Sequence, residues 1–246
     1  LPVHILGLAC DIAPIMDLAN RYCLRVVEDA AEAMGVRYGG RHAGTFGDVG
    51  VFSFNGNKII TAGGGGMLVT DDDRYADYAR HLTTQAKDDP IEYFHNEIGY
   101  NYRPSNIQSA VGVAQLERIT DFIQKKRAIA EAYESAFSNL EGITLMPVGP
   151  NVEPTYWLYS VLLPENTTLA LRKGIIRKLN SYGVGARPLW HVLHDLPPYR
   201  SCQAYKIEHS IRLHERGVSL PSSVGLQGPD LARCISTFER VVSQRT

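Results

Sequence analysis

The chain has 246 residues, 44% apolar and 21% charged, the balance of an average globular protein long enough for a large α/β domain and a smaller one. Its 25 basic and 26 acidic residues leave a formal charge of -1 with no basic block, so nothing points to nucleic acid or an anionic membrane surface as a partner. No apolar run approaches a membrane span.

In chain order, residues 1–6 read as a short strand. Asp11 is placed to cap a helix that tolerates Pro14 in its first turn and sets Ile12, Ile15, Met16, Ala19 and Tyr22 on one face. A second apolar run, 24–27, ends in Glu28-Asp29-Ala30-Ala31-Glu32, acids beside small residues at the carboxyl end of a strand, where open α/β sheets bind ligands. Strand, helix and strand predict a βαβ unit and a mainly parallel sheet. Residues 35–47 are rich in glycine and predict loop with a hairpin over 36–43; His42 lies there and receives no role.

Residues 49–54 are β-branched and aromatic and predict a buried strand. At its end stand Ser53 and, five residues on, Lys58, the single cation between Ala43 and Asp73. A lysine held there loses hydration, which favours the neutral amine and makes it a nucleophile and a base. The plainer alternative is a solvated surface charge. Pyridoxal phosphate needs a lysine for its aldehyde and an acid for its ring nitrogen, and Lys58 and Asp29 supply that pair. The four glycines at 63–66 do not make a triphosphate loop, because the lysine precedes them and a strand at 67–70 follows; they serve unusual dihedrals and close backbone approach.

Asp71, Asp72 and Asp73 begin a helix expected to reach about residue 86, with the acids at its positive end. The polar and aromatic stretch 87–102 is long for a passive connector and predicts a functional loop. Helical spacing runs from Ser105 through Phe122 and Ile123, with a second helix over 125–140 and a domain boundary near Phe122. Residues 155–163 read as strand, 167–182 as a helix ending at Gly183, and 229–243 as a closing helix with Leu231, Cys234, Ile235, Phe238 and Val242 on one face. Between them Arg187, Trp190, His191 and His194 are candidates to meet substrate. His191 and His194 have an H-x-x-H spacing, yet no acidic or cysteine ligand stands in register, so no metal is assigned. Cys10, Cys23, Cys202 and Cys234 lack paired spacing and fit a reducing cytoplasm.

The strings Val27-Glu-Asp-Ala-Ala-Glu32, Gly44-Thr-Phe-Gly-Asp48, Phe52-Ser-Phe-Asn-Gly-Asn-Lys58, Gly63-Gly-Gly-Gly-Met-Leu-Val69, Thr84-Gln-Ala-Lys-Asp-Asp89, Glu97-Ile-Gly-Tyr-Asn-Tyr-Arg103 and Ala186-Arg-Pro-Leu-Trp190 together resemble the PLP-dependent sugar aminotransferases of the DegT/StrS group. The resemblance implies an α/β PLP-transferase of fold type I, with a mainly parallel central sheet, helices on both faces and a smaller C-terminal α+β domain. It implies that 1–122 is the C-terminal part of the large PLP-binding domain and 123–246 the small domain. Lys58 would be catalytic; Asp29, Ala31, Glu32, Ser53, Lys58 and Asn101 would hold pyridoxal 5'-phosphate, Asn101 reaching the neighbouring subunit's phosphate in a homodimer with shared sites. Many relatives carry glutamine where this chain has Glu32. The implied partners are a nucleotide-sugar and an amino acid donor, normally glutamate.

The strings look closest to enzymes that aminate C4 of a UDP-linked 4-keto-6-deoxy-N-acetylhexosamine for surface polysaccharide or nonulosonic acid sugars. A C3 or C4 aminotransferase acting on a dTDP- or GDP-keto sugar is the alternative within the class. Family members start with a further segment that this sequence is expected to lack, so a non-catalytic binding protein is the alternative from another class. A lysine-free sugar dehydratase of this group would have histidine at position 58, and Lys58 excludes it.

Overall fold

The computed structural model describes residues 1–226 and 228–244, which divide into two compact units, 1–124 with 148–157 and 125–147 with the described residues from 158 onward. No helix among the described residues is long and apolar enough to cross a membrane.

In the first unit, α1 (Ala13–Tyr22) precedes β1 (Val27–Asp29). Its N-cap is Ile12, with no side-chain cap; Asp11 instead accepts the Tyr38 hydroxyl at 2.5 Å, which corrects the expected cap. The expected first strand shrinks to a parallel bridge between Val3 and Asp29. The hairpin forms from β2 (Arg37–Tyr38) and β3 (Arg41–His42), turning on Gly39 and Gly40 at positive φ. β4 (Val49–Ser53) runs parallel to β1, and β5 (Gly66–Val69) runs antiparallel to β4, giving the order β1-β4-β5.

Asp72 caps α2 (Asp73–Thr83) by accepting the Arg74 N–H at 2.9 Å. α3 (Asn106–Leu116) opens on a reciprocal capping box between Ser105 and Gln108. α4 (Ile119–Phe137) follows after a break at Glu117 and Arg118, earlier than the break expected near residue 124. β6 (Val152–Glu153), which sequence reading missed, adds to the hairpin in the order β3-β2-β6. Ala30, Ala33, Val36, Ala43 and Phe52 form one buried cluster of this unit.

In the second unit, β7 (Tyr159–Leu162) starts four residues later than expected. It leads to α5 (Leu169–Ser181), capped by Thr168 and ended at Gly183 with φ 76°. β8 (Arg187–Pro188), α6 (Glu208–Arg216), β9 (Gly217–Leu220) and α7 (Pro229–Ser243) follow. The antiparallel sheet has the order β7-β9-β8, and all four residues of β9 are buried. That uniform burial removes the alternation by which a strand is read, and β9 went unseen. α7 buries Cys234, Thr237, Phe238, Val241 and Val242; Leu231 and Ile235 of the expected face are only half-buried. Tyr133 stacks on Tyr159 at 5.0 Å, and Phe137 meets Phe238 at 4.7 Å.

Glu28 fixes the loops of the first unit at the carboxyl end of β1. Fully buried, its Oε1 accepts the N–H groups of Phe46 and Gly47 at 2.6 Å each, and its Oε2 takes the Gly44 N–H and His4 Nε2 at 2.9 Å each. His4 Nδ1 in turn accepts the Cys10 N–H at 3.2 Å. At the same place a side chain on Gly50 would overlap the Gly44 carbonyl, so the loop lies directly on β4. Burial alone would raise the Glu28 pKa; the His4 bond and the Gly47 and Gly44 amides hold it below the usual 4.5. The stability Glu28 contributes is therefore complete above that ordinary value and is lost as pH falls through the lower folded-state value. Glu28→Ala, which orphans three backbone amides and the His4 imidazole around a buried site, is expected to cost about 3–5 kcal/mol in denaturant unfolding near neutral pH, with a smaller loss for Glu28→Gln; equal stability of all three proteins would contradict this account.

Candidate active site

Asp29 ends β1 and Ser53 ends the parallel β4, so the two side chains stand at the carboxyl ends of adjacent strands. Asp29 Oδ1 accepts the Ala31 N–H at 3.0 Å, a tight turn that the small Ala30 and Ala31 permit. Ser53 Oγ accepts the Asn55 N–H at 3.3 Å, which leaves the hydroxyl proton to donate elsewhere. The chain then turns, with the Lys58 N–H on the Asn55 carbonyl at 3.0 Å, and carries the Lys58 side chain back inward to 13% exposure.

Two groups face the Lys58 amine. Glu32 Oε1 is 3.9 Å from Nζ, and the Trp157 ring centroid is 4.0 Å from it. Among the described residues the amine makes no hydrogen bond. Burial lowers its pKa from the ordinary 10.5, against the negative charges of Glu32 and, more weakly, Asp29. Burial likewise raises Glu32 above 4.5, although Oε2 accepts the Leu6 N–H at 2.8 Å and Lys58 pulls the other way. An ion pair dominated by attraction would move both groups in the opposite directions. Here desolvation outweighs attraction on both sides, so acid and amine are each biased toward their neutral forms.

The glycines at 63–66 run beside this turn: Gly63 and Gly65 have φ of 78° and 80°, and the Gly65 carbonyl accepts the Phe54 N–H at 3.0 Å. A strand, β5, follows them. An apolar cavity of about 480 Å³ between β4, β5 and α3 includes Phe52, Phe54, Met67 and Leu116 in its lining, but none of Asp29, Glu32 or Lys58. It is not the place where the titratable groups converge.

Asn101 lies exposed at the end of the 87–102 loop, its backbone bridging Thr84, and no hydrogen bond joins it to Asp29, Ser53 or Lys58. In the second unit, Arg187 is exposed on β8, Trp190 is 53% exposed, and the chain continues into short 3-10 turns at Leu193–Asp195 and Pro197–Tyr199. His191 Nε2 stands 3.4 Å from Asp195 Oδ2 and stacks on His214 at 4.8 Å, while His214 Nδ1 bonds the Trp190 carbonyl at 2.8 Å. The acidic neighbour that sequence reading found absent is thus Asp195, one turn after His191. His194 sits in the first 3-10 turn.

Trp157 was missed. Its indole is 2% exposed and its Nε1–H donates to the Asn57 carbonyl at 2.6 Å, across one hundred residues of sequence. The contact depends on Gly7: at φ +83°, a side chain there would overlap the Trp157 backbone nitrogen, and the Gly7 carbonyl accepts the Thr155 N–H at 2.9 Å. No local pattern links positions 7, 58 and 157.

The sequence profile of the DegT/DnrJ/EryC1/StrS aminotransferase family matches residues 1–239. The chain belongs to this family. Among relatives of the DegT/DnrJ/EryC1/StrS aminotransferases, it is 37% identical over 243 residues to a GDP-perosamine synthase of Caulobacter vibrioides, covering 98% of this chain and 65% of that protein. It is 40% identical over 244 residues to a GDP-perosamine synthase of Escherichia coli O157:H7, covering 99% and 65%. The chain therefore spans just under two thirds of the length of these relatives. The crystal structure of the aminotransferase TlmJ from Streptoalloteichus hindustanus superposes with a TM-score of 0.91 at 27% identity, covering 99% of this chain and 65% of that one. The fold is that of the type I pyridoxal phosphate transferases.

The residues present fit that cofactor: a lysine amine largely shielded from solvent and, among the described residues, without a hydrogen-bond partner, an acid at the adjacent strand end, small residues beside it, and a serine with a proton to donate. The lysine should also leave a thermodynamic mark. Because its folded-state pKa is lowered, protonated Lys58 costs stability below that pKa, and the penalty fades as pH rises from that pKa to 10.5, above which the unfolded amine has also lost its proton. Lys58→Met should therefore raise the melting temperature of the cofactor-free chain near pH 7, and the gain should shrink as pH rises toward about 10.5 and be absent above it. A lower Tm at neutral pH would show that Lys58 is a stabilising surface charge.

Proposed function

We propose that this chain belongs to an enzyme that transfers an amino group from an amino acid to a nucleotide-linked keto sugar with pyridoxal 5'-phosphate. The observation that carries the reading is the Lys58 amine, desolvated between Glu32 and Trp157, with Asp29 at the end of the neighbouring parallel strand. Residues 1–122 are read as part of the cofactor-binding domain and 123–246 as the small domain, working in the cytoplasm.

When bound, pyridoxal phosphate supplies a ring that accepts the electron pair left on the donor's α-carbon as its proton departs. Asp29 would hold the proton on the ring nitrogen, a charge-assisted hydrogen bond of about 1.5–3 kcal/mol. Lys58 would hold the cofactor through Nζ and serve as the base for the α-carbon proton. Ser53 would donate its hydroxyl proton to the phosphate, and Asn101 would reach the phosphate held by the partner subunit of a homodimer. Ala31 leaves space at the ring face. Glu32, whose pKa burial raises above 4.5, would stand near the phenolic oxygen. Arg187, Trp190, His191 and His194 are assigned to the sugar nucleotide, and glutamate to the donor.

The motif strings resemble enzymes of UDP-linked 4-keto-6-deoxy-N-acetylhexosamines. The GDP-perosamine synthases match this chain over nearly its whole length and favour a GDP-linked keto sugar as the substrate.

Borohydride reduction of the chain with pyridoxal phosphate is expected to fix the cofactor on Lys58, seen by peptide mass mapping and lost in Lys58→Ala. Amination is then read on a panel of GDP-, UDP- and dTDP-linked keto sugars, with the GDP-linked member expected to turn over fastest. Asp29→Ala is expected to slow amination about a hundredfold or more while changing cofactor affinity far less. Absence of any Lys58 adduct would instead support a non-catalytic binding protein.

A further inference from the structure

Trp157 meets the lysine and the residue that precedes it. Its indole nitrogen donates to the carbonyl of Asn57, the residue before the lysine, and its ring face lies 4.0 Å from the amine at the tip. The indole is itself held in place by the close approach of Gly7 to its backbone. Glu32, the other neighbour of the amine, is at 3.9 Å, beyond hydrogen-bond length.

We propose that Trp157 is a positioning residue for Lys58, its indole face being the resting place of the lysine amine whenever that amine is free. The physical reason lies in what a π face does and does not do. It attracts an ammonium through its quadrupole, yet it takes no proton and leaves the nitrogen lone pair of the neutral amine uncommitted. A carboxylate in hydrogen-bond contact would hold the ammonium more tightly, raise its pKa and leave less of the neutral amine. Held by an indole at the tip and a hydrogen bond at the root, Lys58 keeps one orientation in both protonation states. The inference rests on reading Lys58 as the cofactor lysine.

The test uses the cofactor-free chain, in which the behaviour of the amine is separate from turnover. Competitive acetylation from about pH 6 to about pH 11, read at Lys58 by peptide mass spectrometry, gives the titration of this one amine. Loss of the indole removes an interaction that favours the ammonium, so Trp157→Leu is expected to raise the rate of Lys58 acetylation near neutral pH by about two- to fivefold, with Trp157→Phe between it and the parent. Identical profiles in the three folded proteins would overturn the proposal. A second measurement covers a variant that does not fold. Trp157 and Trp190 are the two tryptophans of the chain, so in Trp190→Phe the emission reports residue 157 alone. That emission is expected to change as Lys58 titrates and to lose the step in Trp190→Phe with Lys58→Met; a pH-independent emission would sink the idea. Failure of borohydride to fix pyridoxal phosphate on Lys58 in the parent bears on the cofactor reading, and the acetylation and emission profiles still decide the contact itself.

Discussion

One buried carboxylate sets the geometry on which the candidate site depends. Glu28 gathers three backbone amides from the 44–47 loop and an imidazole from the first residues of the chain, all at the end of a three-residue strand. A buried charge with four donors is tolerated because nearly every lone pair is used, whereas with fewer it would be driven to protonate. Strand alternation does the rest: Glu28 points into the interior, so Asp29 and its turn with Ala31 face the other way, at the strand end.

The same burial has opposite results a few residues apart. Glu28 stays ionised because its donors outweigh desolvation. Glu32 has one backbone donor and an amine beyond hydrogen-bond reach, and desolvation wins. Lys58 is in the same position with the opposite charge. Under-satisfied titratable groups cost stability, and Glu32 and Lys58 are such a pair, 3.9 Å apart.

The second unit is built on a different principle. Its strands β7 and β9 are buried, and aromatic contacts from α4 and α7 close over β7. The segment with Arg187, Trp190, His191 and His194 leaves that core and stays open to solvent, held by His214 and Asp195. An exposed, polar and aromatic loop on a rigid sheet suits recognition of a large polar ligand.

The sequence alone determined the elements whose signals are local. The helix start at Asp72, the helical spacing from Ser105, the Gly-Gly hairpin, the strand before Lys58 and the α7 segment follow from residues within a few positions of one another, and all formed. The motif strings also carried the family, because the acid, the serine and the lysine stand in fixed order. What only the tertiary structure decided is whatever joins distant positions. The four donors on Glu28, the use of Asp11 by Tyr38 in place of a helix cap, the fully buried β9, and Trp157 laid over Lys58 through Gly7 have no periodic or neighbouring signal. Their energies come from burial and from partners up to one hundred residues away, and such partners exist only once the chain has folded.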